Sequence, residues 1–254
     1  MVELKSLLNE AASAASNFIM KFDIITIFPN FFDSFQGEAL IARAQAKKLI
    51  SIKTHYLRDY ADDERGTIDG RPYGGGAGMV LLFEPIRKAV QKISNSKFLI
   101  SKRKKKTLII VFNPKGKKFD QAMARKWAKL DQIIMICGRY EGIDERVMTE
   151  IADEEISIGD YVLFGGEVPA MVVMEAVTRL IPGAIGKQSS VENESFSEAK
   201  GAAKKQLTKF IEYPHYTRPE VITLGKKKLR VPKVLLSGNH KDIDKWRKEH
   251  SQIS

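Results

Sequence analysis

Three glycine-bearing turns hold most of the residues in this chain that could do chemistry. The first, GRPYGGGAGM (residues 70–79), contains Gly74, Gly75 and Gly76 in succession. Consecutive glycines leave backbone N–H groups bare and let a planar or charged ligand approach the main chain. No Gly-Lys-Ser/Thr follows, so this is not a P-loop, and the spacing is not that of a dinucleotide fingerprint. The second, CGRYEGIDERV (137–147), directly follows an apolar run. It would set Arg139, Tyr140 and Glu141 beyond the carboxyl end of a strand, where ligands of open α/β sheets bind. The third, SIGDYVLFGGEVPAM (157–171), has Gly159, Gly165 and Gly166 flanking a short strand, with Pro169 placed to start a helix. With FNPKGKKFD (112–120), these loops could build a pocket from backbone rather than charged side chains, which suits a neutral or zwitterionic cofactor carrying an adenine ring. Each turn also has a plain structural reading: a flexible surface loop for 70–79, and a strand-to-helix turn capped by Asp144 for 137–147.

Two other positions stand apart. Arg179 ends the helix that includes Pro169, where a cation meets the negative end of the dipole, and that contact alone would explain it. Glu192 and Glu194 lie in SSVENESF (189–196), a polar stretch in which acidic residues are ordinarily just solvated.

The elements that must carry these turns are legible as apolar runs. FDIITIF (22–28), TLIIVF (107–112) and QIIMIC (132–137) read as buried strands, and SIKTHYL (51–57) alternates like one. Residues 38–49, 84–93, 119–130 and 167–181 have helical apolar spacing. Strands separated by amphipathic helices indicate an α/β domain with a parallel sheet. The organisation expected is an appendage over 1–19, a ligand-binding α/β domain over 20–185, a polar linker over 186–212, and a small basic unit over 213–254 with a helix from about Lys241 behind a Gly238–Asn239 turn.

Of the 254 residues, 43% are hydrophobic and 29% charged, ample for a core. The lone cysteine, Cys137, excludes an internal disulfide framework and fits a reducing compartment. The four histidines are not at metal-ligand spacing, which disfavours a histidine-based metal hydrolase. No run is long and apolar enough for a transmembrane helix, and no secretory leader is expected from residues 1–19. The net charge of +11 is uneven: residues 200–254 carry +9, residues 97–106 carry +6, and the rest is mildly acidic. Two basic patches on an acidic body are the footprint of a polyanion binder, or simply a solvated tail and loop.

The words RPYGGGAGM, NPKGKKFDQ, CGRYEGIDERV, SIGDYVLFGGEVPAM, IPGAIGKQSS, PHYTRPEV and SGNHKDIDKWR occur in one order between about residue 20 and residue 247. In these the chain resembles the bacterial tRNA (guanine-N1)-methyltransferase family, of the knotted SPOUT class. The resemblance implies an α/β fold, a SPOUT-type parallel sheet with a deep trefoil knot toward the end of the catalytic domain, followed by a small, mainly helical C-terminal domain. Patterning alone would favour an unknotted doubly wound sheet, because knots are very rare. It further implies a cytoplasmic homodimer with active sites shared between subunits, S-adenosylmethionine (AdoMet) as methyl donor, Mg²⁺, and a tRNA substrate methylated at N1 of the guanosine 3′ of the anticodon.

Carried over residue by residue, the resemblance implies a cofactor pocket of Phe112, Asn113, Pro114 and Gly116, then Gly138, Tyr140, Glu141 and Gly142, closed by Ile158, Gly159, Tyr161, Leu163, Gly165, Gly166 and Pro169. Arg71, Tyr73, Gly74, Gly75, Gly76, Arg139, His215 and Arg218 would meet the RNA. Glu194 would be the general base, with Glu192 as its fallback, and Arg179 would hold negative charge developing on guanine O6. Four features depart from the family pattern. Glu194 stands where the family has aspartate, Gly70 replaces an acidic residue, the linker is longer and more basic, and the C-terminal domain is expected to be shortened. They motivate two alternatives: a catalytically impaired RNA-binding SPOUT protein, and a SPOUT methyltransferase with a shifted RNA target.

Overall fold

Apolar residues on both faces of short β-branched runs dictate a sheet covered on both sides, and the computed structural model has one. It describes residues 19–94, 106–186, 194–196 and 210–253. Strands β1 (Met20–Thr26) and β2 (Ile50–Tyr56) are joined through a 3₁₀ turn and helices α1 (Asp33–Gly37) and α2 (Ala39–Ala46). A two-residue ladder, β3 (Asp69–Gly70) with β4 (Val80–Leu81), precedes helix α3 (Phe83–Ser94). Then follow β5 (Thr107–Lys118), α4 (Gln121–Trp127), β6 (Gln132–Ile136), α5 (Glu145–Glu150), β7 (Glu154–Ser157) and α6 (Glu167–Thr178). The five long strands form one sheet in the order β2-β1-β6-β5-β7, and every pair is parallel.

Alternation along β1 shows how the layers divide. Met20, Phe22 and Ile24 pack with Ala44, Trp127, Val173 and Val177 under α2, α4 and α6. Ile25 and Ile27 face the other way, with Ile86, Val90, Val147 and Ile151 under α3 and α5. Asp23 and Thr26 are the buried polar residues on β1, and Asp23 bridges three strands. One of its carboxylate oxygens lies 2.7 Å from His55 Nε2, and the other accepts from Gln132 Nε2 at 2.7 Å, so it ties β2, β1 and β6 together. Hydrogen bonds to both oxygens offset part of the cost of burying the carboxylate.

Two local departures shape the site. Strand β5 runs beyond Phe112, and its pairing with β7 shifts register: both Phe112 and Lys117 face Ile156, so the four residues between bulge out of the ladder. The short strand expected between Gly159 and Gly165 is also displaced. It lies earlier, as β7, and Asp160–Phe164 is loop with Val162 and Phe164 almost wholly exposed. Among the described residues, no helix is long and apolar enough to cross a membrane.

The chain divides into two units, Met1–Gly186 and Lys187–Ser254. In the second, β8 (Phe210–Ile211) pairs antiparallel with β11 (Gln252–Ile253), and β9 (Val221–Leu224) pairs with β10 (Lys227–Arg230). Between these ladders lie helices α7 (Lys233–Leu236) and α8 (His240–His250), the latter capped by the Asn239 side chain accepting from the Lys241 amide at 3.1 Å. The mainly helical unit expected from the resemblance is thus mixed among its described residues. Tyr213, Tyr216, Trp246 and His250 form one aromatic group, with Trp246 and His250 stacked at 4.1 Å. Residues 1–18 of the appendage, most of the basic 97–106 segment, Glu192 and most of the linker lie outside the described residues.

Candidate active site

The carboxyl ends of β5, β6 and β7 open into a cleft of about 360 Å³. That is the size range of small-ligand sites. Every residue expected for the cofactor except Gly116 lines it, together with Lys115, Ile143, Met148 and Phe164. The wall has three parts: the bulge after Phe112, the turn at 138–142, and the loop at 158–166. Gly138, Gly142, Gly159, Gly165 and Gly166 are among its lining residues, and the apolar contributions come from Ile156, Leu163 and Pro169 among others. Gly116 instead supports the bulge from behind. A Cβ there would lie 2.5 Å from the Ile156 amide nitrogen, so only glycine lets the returning strand pack on β7.

The third loop is fastened to the second by the Gly166 amide, which donates to the Gly138 carbonyl at 3.0 Å. Beneath them sits a residue that sequence reasoning had not singled out. Glu167 is fully buried at the first turn of α6. Its Oε1 accepts from Thr26 Oγ1 at 2.7 Å, and its Oε2 accepts from Arg139 Nε at 2.9 Å and lies 2.9 Å from Arg139 Nη2. Helix N-termini favour a carboxylate, and this one fixes Arg139 at the cleft wall. The guanidinium also lies over the rings of Phe28 and Phe31, at 4.7 and 5.4 Å. The signal available in the sequence was an acidic residue directly after two glycines at the head of an otherwise apolar helix.

Cys137, beside these groups, has its thiol pushed well above the usual range, chiefly by burial and further by the Glu167 carboxylate. It is therefore not a nucleophile. Asp144 does cap α5, accepting from the Arg146 amide at 3.0 Å, and the Arg146 side chain holds its carboxyl below the ordinary value. The cap and the cleft-lining turn thus coexist in one segment.

The glycine-rich turn carrying Arg71, Tyr73, Gly74, Gly75 and Gly76 spans β3 to β4 and is not on the cleft wall, and Tyr73 is wholly exposed. Its far end is tied to the second turn. The Glu141 amide donates to the Met79 carbonyl and the Leu81 amide to the Gly142 carbonyl, both at 3.0 Å. Gly78, with φ +77°, sits where a Cβ would come 2.5 Å from Glu141 Cγ. Replacing Gly78 with alanine should therefore push Glu141 out of the cleft and weaken cofactor binding by about tenfold, with both left-handed strain and displacement contributing. Calorimetric titration of the variant with AdoMet checks this, and an unchanged affinity would mean the two turns are not coupled through that contact.

Arg179 is the half-buried C-cap of α6 and does not line the cleft. Glu194 belongs to the second unit and is buried, at 7% exposure. Its segment is stapled to β8: the Phe196 amide donates to the Phe210 carbonyl at 2.6 Å, and Ser195 Oγ accepts from the Glu212 amide at 3.1 Å. Phe196 takes a left-handed φ of +64° to make that turn. His215 and Arg218 are exposed in the same unit. Among the described residues, no three His, Cys, Asp or Glu side chains form a group able to hold a metal ion.

The chain is also similar to known proteins. The family described as tRNA (Guanine-1)-methyltransferase TrmD matches residues 20–254. A curated tRNA (guanine-N(1)-)-methyltransferase of Carboxydothermus hydrogenoformans is 46% identical over 235 residues, 92% of this chain and 84% of the relative. Relatives with the same description from Ruminiclostridium cellulolyticum and Clostridioides difficile are 43% and 41% identical over 232 residues, covering 91% of this chain and 91% and 92% of their own lengths.

Proposed function

The chain belongs to the tRNA (guanine-1)-methyltransferase TrmD family, and from that premise we propose that it methylates N1 of guanosine 37 of tRNA, next to the anticodon, with AdoMet as donor. The observation that carries the reading is the cleft at the ends of β5, β6 and β7. Its glycine-rich, partly apolar wall suits an adenosine moiety better than a polyphosphate. Phe112–Pro114, Gly138–Gly142 and the loop from Ile158 to Gly166 would hold the cofactor. When bound, AdoMet supplies an electrophilic methyl group on a sulfonium.

The chain's own residues supply the rest. Guanine N1 is a poor nucleophile while it carries a proton, and Glu194 is the carboxylate that takes it. The Arg179 guanidinium offsets the negative charge left on O6. Arg71, Tyr73 and the glycines Gly74, Gly75 and Gly76 present an exposed turn to the base, and Arg139 is held at the cleft wall by Glu167. A base in a loop leaves its stack at low cost. His215 and Arg218 stand in a unit rich in basic residues, suited to the phosphate backbone. Among the described residues no three His, Cys, Asp or Glu side chains group as a metal site, so Mg²⁺ would rely on few protein ligands, with waters and RNA oxygens completing its shell.

We carry the trefoil knot and the cytoplasmic homodimer over from the family as part of the same reading. The return of the chain after β7 across Gly138, ending in α6 against β1 through the Thr26–Glu167 bond, supports the knot. A run of exposed apolar side chains on the first unit, Phe28, Phe31, Val162, Phe164, Val168 and Val172, supports a partner surface.

Labelled AdoMet, Mg²⁺ and two tRNA transcripts, one with guanosine and one with adenosine 3′ of the anticodon, provide the test. Label should enter only the first. Transfer to neither, with AdoMet still bound by calorimetry, would favour the RNA-binding protein without catalysis. Transfer to another guanosine would favour a shifted target.

A further inference from the structure

The third wall of the cleft, residues 158–166, is held unevenly. At its start the holds are local or exposed. Ser157 Oγ donates to the Gly159 carbonyl, and the Tyr161 hydroxyl donates to the Ile158 carbonyl, both at 3.1 Å. Lys118 pairs with Asp160, but their side chains are 63% and 82% exposed, and a pair so exposed contributes little. At its end the contacts converge on Arg139. Nη1 donates to the Phe164 carbonyl at 3.4 Å, while Nε and Nη2 engage Glu167. A Cβ on Gly165 would come 2.3 Å from Arg139 Nε, so the chain passes directly against the guanidinium there. Thr26 anchors the group to β1. Its hydroxyl donates to Glu167 and accepts from the Phe28 amide at 2.9 Å, at the start of the turn whose Phe28 and Phe31 rings lie against the same guanidinium.

These contacts bear on what Arg139 is for. An arginine that grips a phosphate or a base edge turns its planar fork toward that ligand. Here each guanidinium nitrogen faces an acceptor of the same chain, and the side chain is only 15% exposed. Its charge is already met by Glu167. A pair buried in this way keeps its geometry, because an arginine that swung away would strand the carboxylate. What the pair fixes is the end of the loop from which Tyr161, Leu163 and Phe164 line the cleft.

We propose that Arg139 is a positioning residue for the cofactor and not an RNA contact. Anchored by Glu167 and Thr26, it holds Phe164–Gly166 in place and so sets the loop 158–166 against bound AdoMet. The proposal rests on the AdoMet reading above and replaces the RNA role that the resemblance suggests for Arg139.

The test is the full-length chain with Arg139→Lys. Lysine keeps a positive charge beside Glu167, so the carboxylate is not stranded, but a single ammonium lacks the fork that spans Glu167 and the Phe164 carbonyl. Three measurements are made beside the wild type. Calorimetric titration with AdoMet, without tRNA, should show affinity lowered about tenfold, roughly what one hydrogen bond contributes. Hydrogen exchange without cofactor should be faster in peptides covering 158–166 and unchanged in β1 and β6, which also shows that the variant folds. The KM for tRNA at saturating AdoMet should stay within about twofold of wild type. An AdoMet affinity equal to wild type would overturn the proposal, and a raised KM for tRNA beside it would return Arg139 to the RNA. Weaker AdoMet binding with unchanged exchange over 158–166 would overturn it as well, because the loop would not be what Arg139 holds. A wild type that does not bind AdoMet would sink the parent reading instead, before the variant is compared.

Discussion

Glu194→Gln is expected to lower methyl transfer by about 10²–10⁴-fold, the usual contribution of a positioned general base, with AdoMet affinity unchanged. Glutamine keeps the size and one acceptor oxygen of glutamate but cannot take the N1 proton. The effect should lie in kcat, because the carboxylate matters only once N1 begins to lose its proton. A second substitution separates basicity from placement. Aspartate, the residue that the resemblance puts here, keeps the carboxylate but is one methylene shorter. The segment is held to β8 by the Phe196 amide and Ser195 Oγ, so its backbone is set. If the longer side chain only approximates the reacting geometry, Glu194→Asp should keep activity or raise it, since misplacement by roughly 1 Å can cost about 10²-fold. Single-turnover rates of the three proteins on tRNA decide the matter. Wild-type turnover in the glutamine variant would remove Glu194 from the mechanism.

What the sequence disclosed depended on how each element buries itself. β1, β5 and β6 were legible because a central parallel strand is apolar on both faces, and FDIITIF, TLIIVF and QIIMIC have no other use. β7 was misplaced because it lies at the sheet edge. Glu154 and Glu155 dilute its pattern, while YVLF a few residues on looks more like a strand and is in fact exposed loop. Apolar character there is exposed rather than buried, and a local pattern does not distinguish the two. The β9–β10 hairpin was hidden for the opposite reason. Its alternation is weak because neither face packs on a core.

At the site, the glycine turns declared themselves by composition, and all but Gly116 of the residues named for the cofactor converge on one cleft. The connections between the turns did not. That Gly78 abuts Glu141, or that the bulge at residues 113–116 shifts β5 against β7, follows from tertiary contacts between segments tens of residues apart. Local spacing has no means to encode them.

The buried pair beneath the cleft leads to the largest expected change in stability. Arg139 and Glu167 have side chains 15% and 1% exposed. Besides Arg139, the carboxylate's only hydrogen-bond partner among the described residues is Thr26. Arg139→Leu leaves a charge buried with one hydroxyl donor, and it should cost about 3–5 kcal/mol, as breaking a buried pair by removing one partner does. Most of that penalty belongs to the stranded charge rather than to the lost attraction. The double variant Arg139→Leu/Glu167→Gln should therefore recover a substantial part of it, because a neutral amide can still accept from Thr26 Oγ1. Urea denaturation at fixed protein concentration, without cofactor, reads both numbers. A loss below about 1 kcal/mol in Arg139→Leu would mean that water reaches Glu167. A double variant no more stable than the single one would mean that Arg139 acts through its packing on Phe28 and Phe31, and that the carboxylate serves only to aim it.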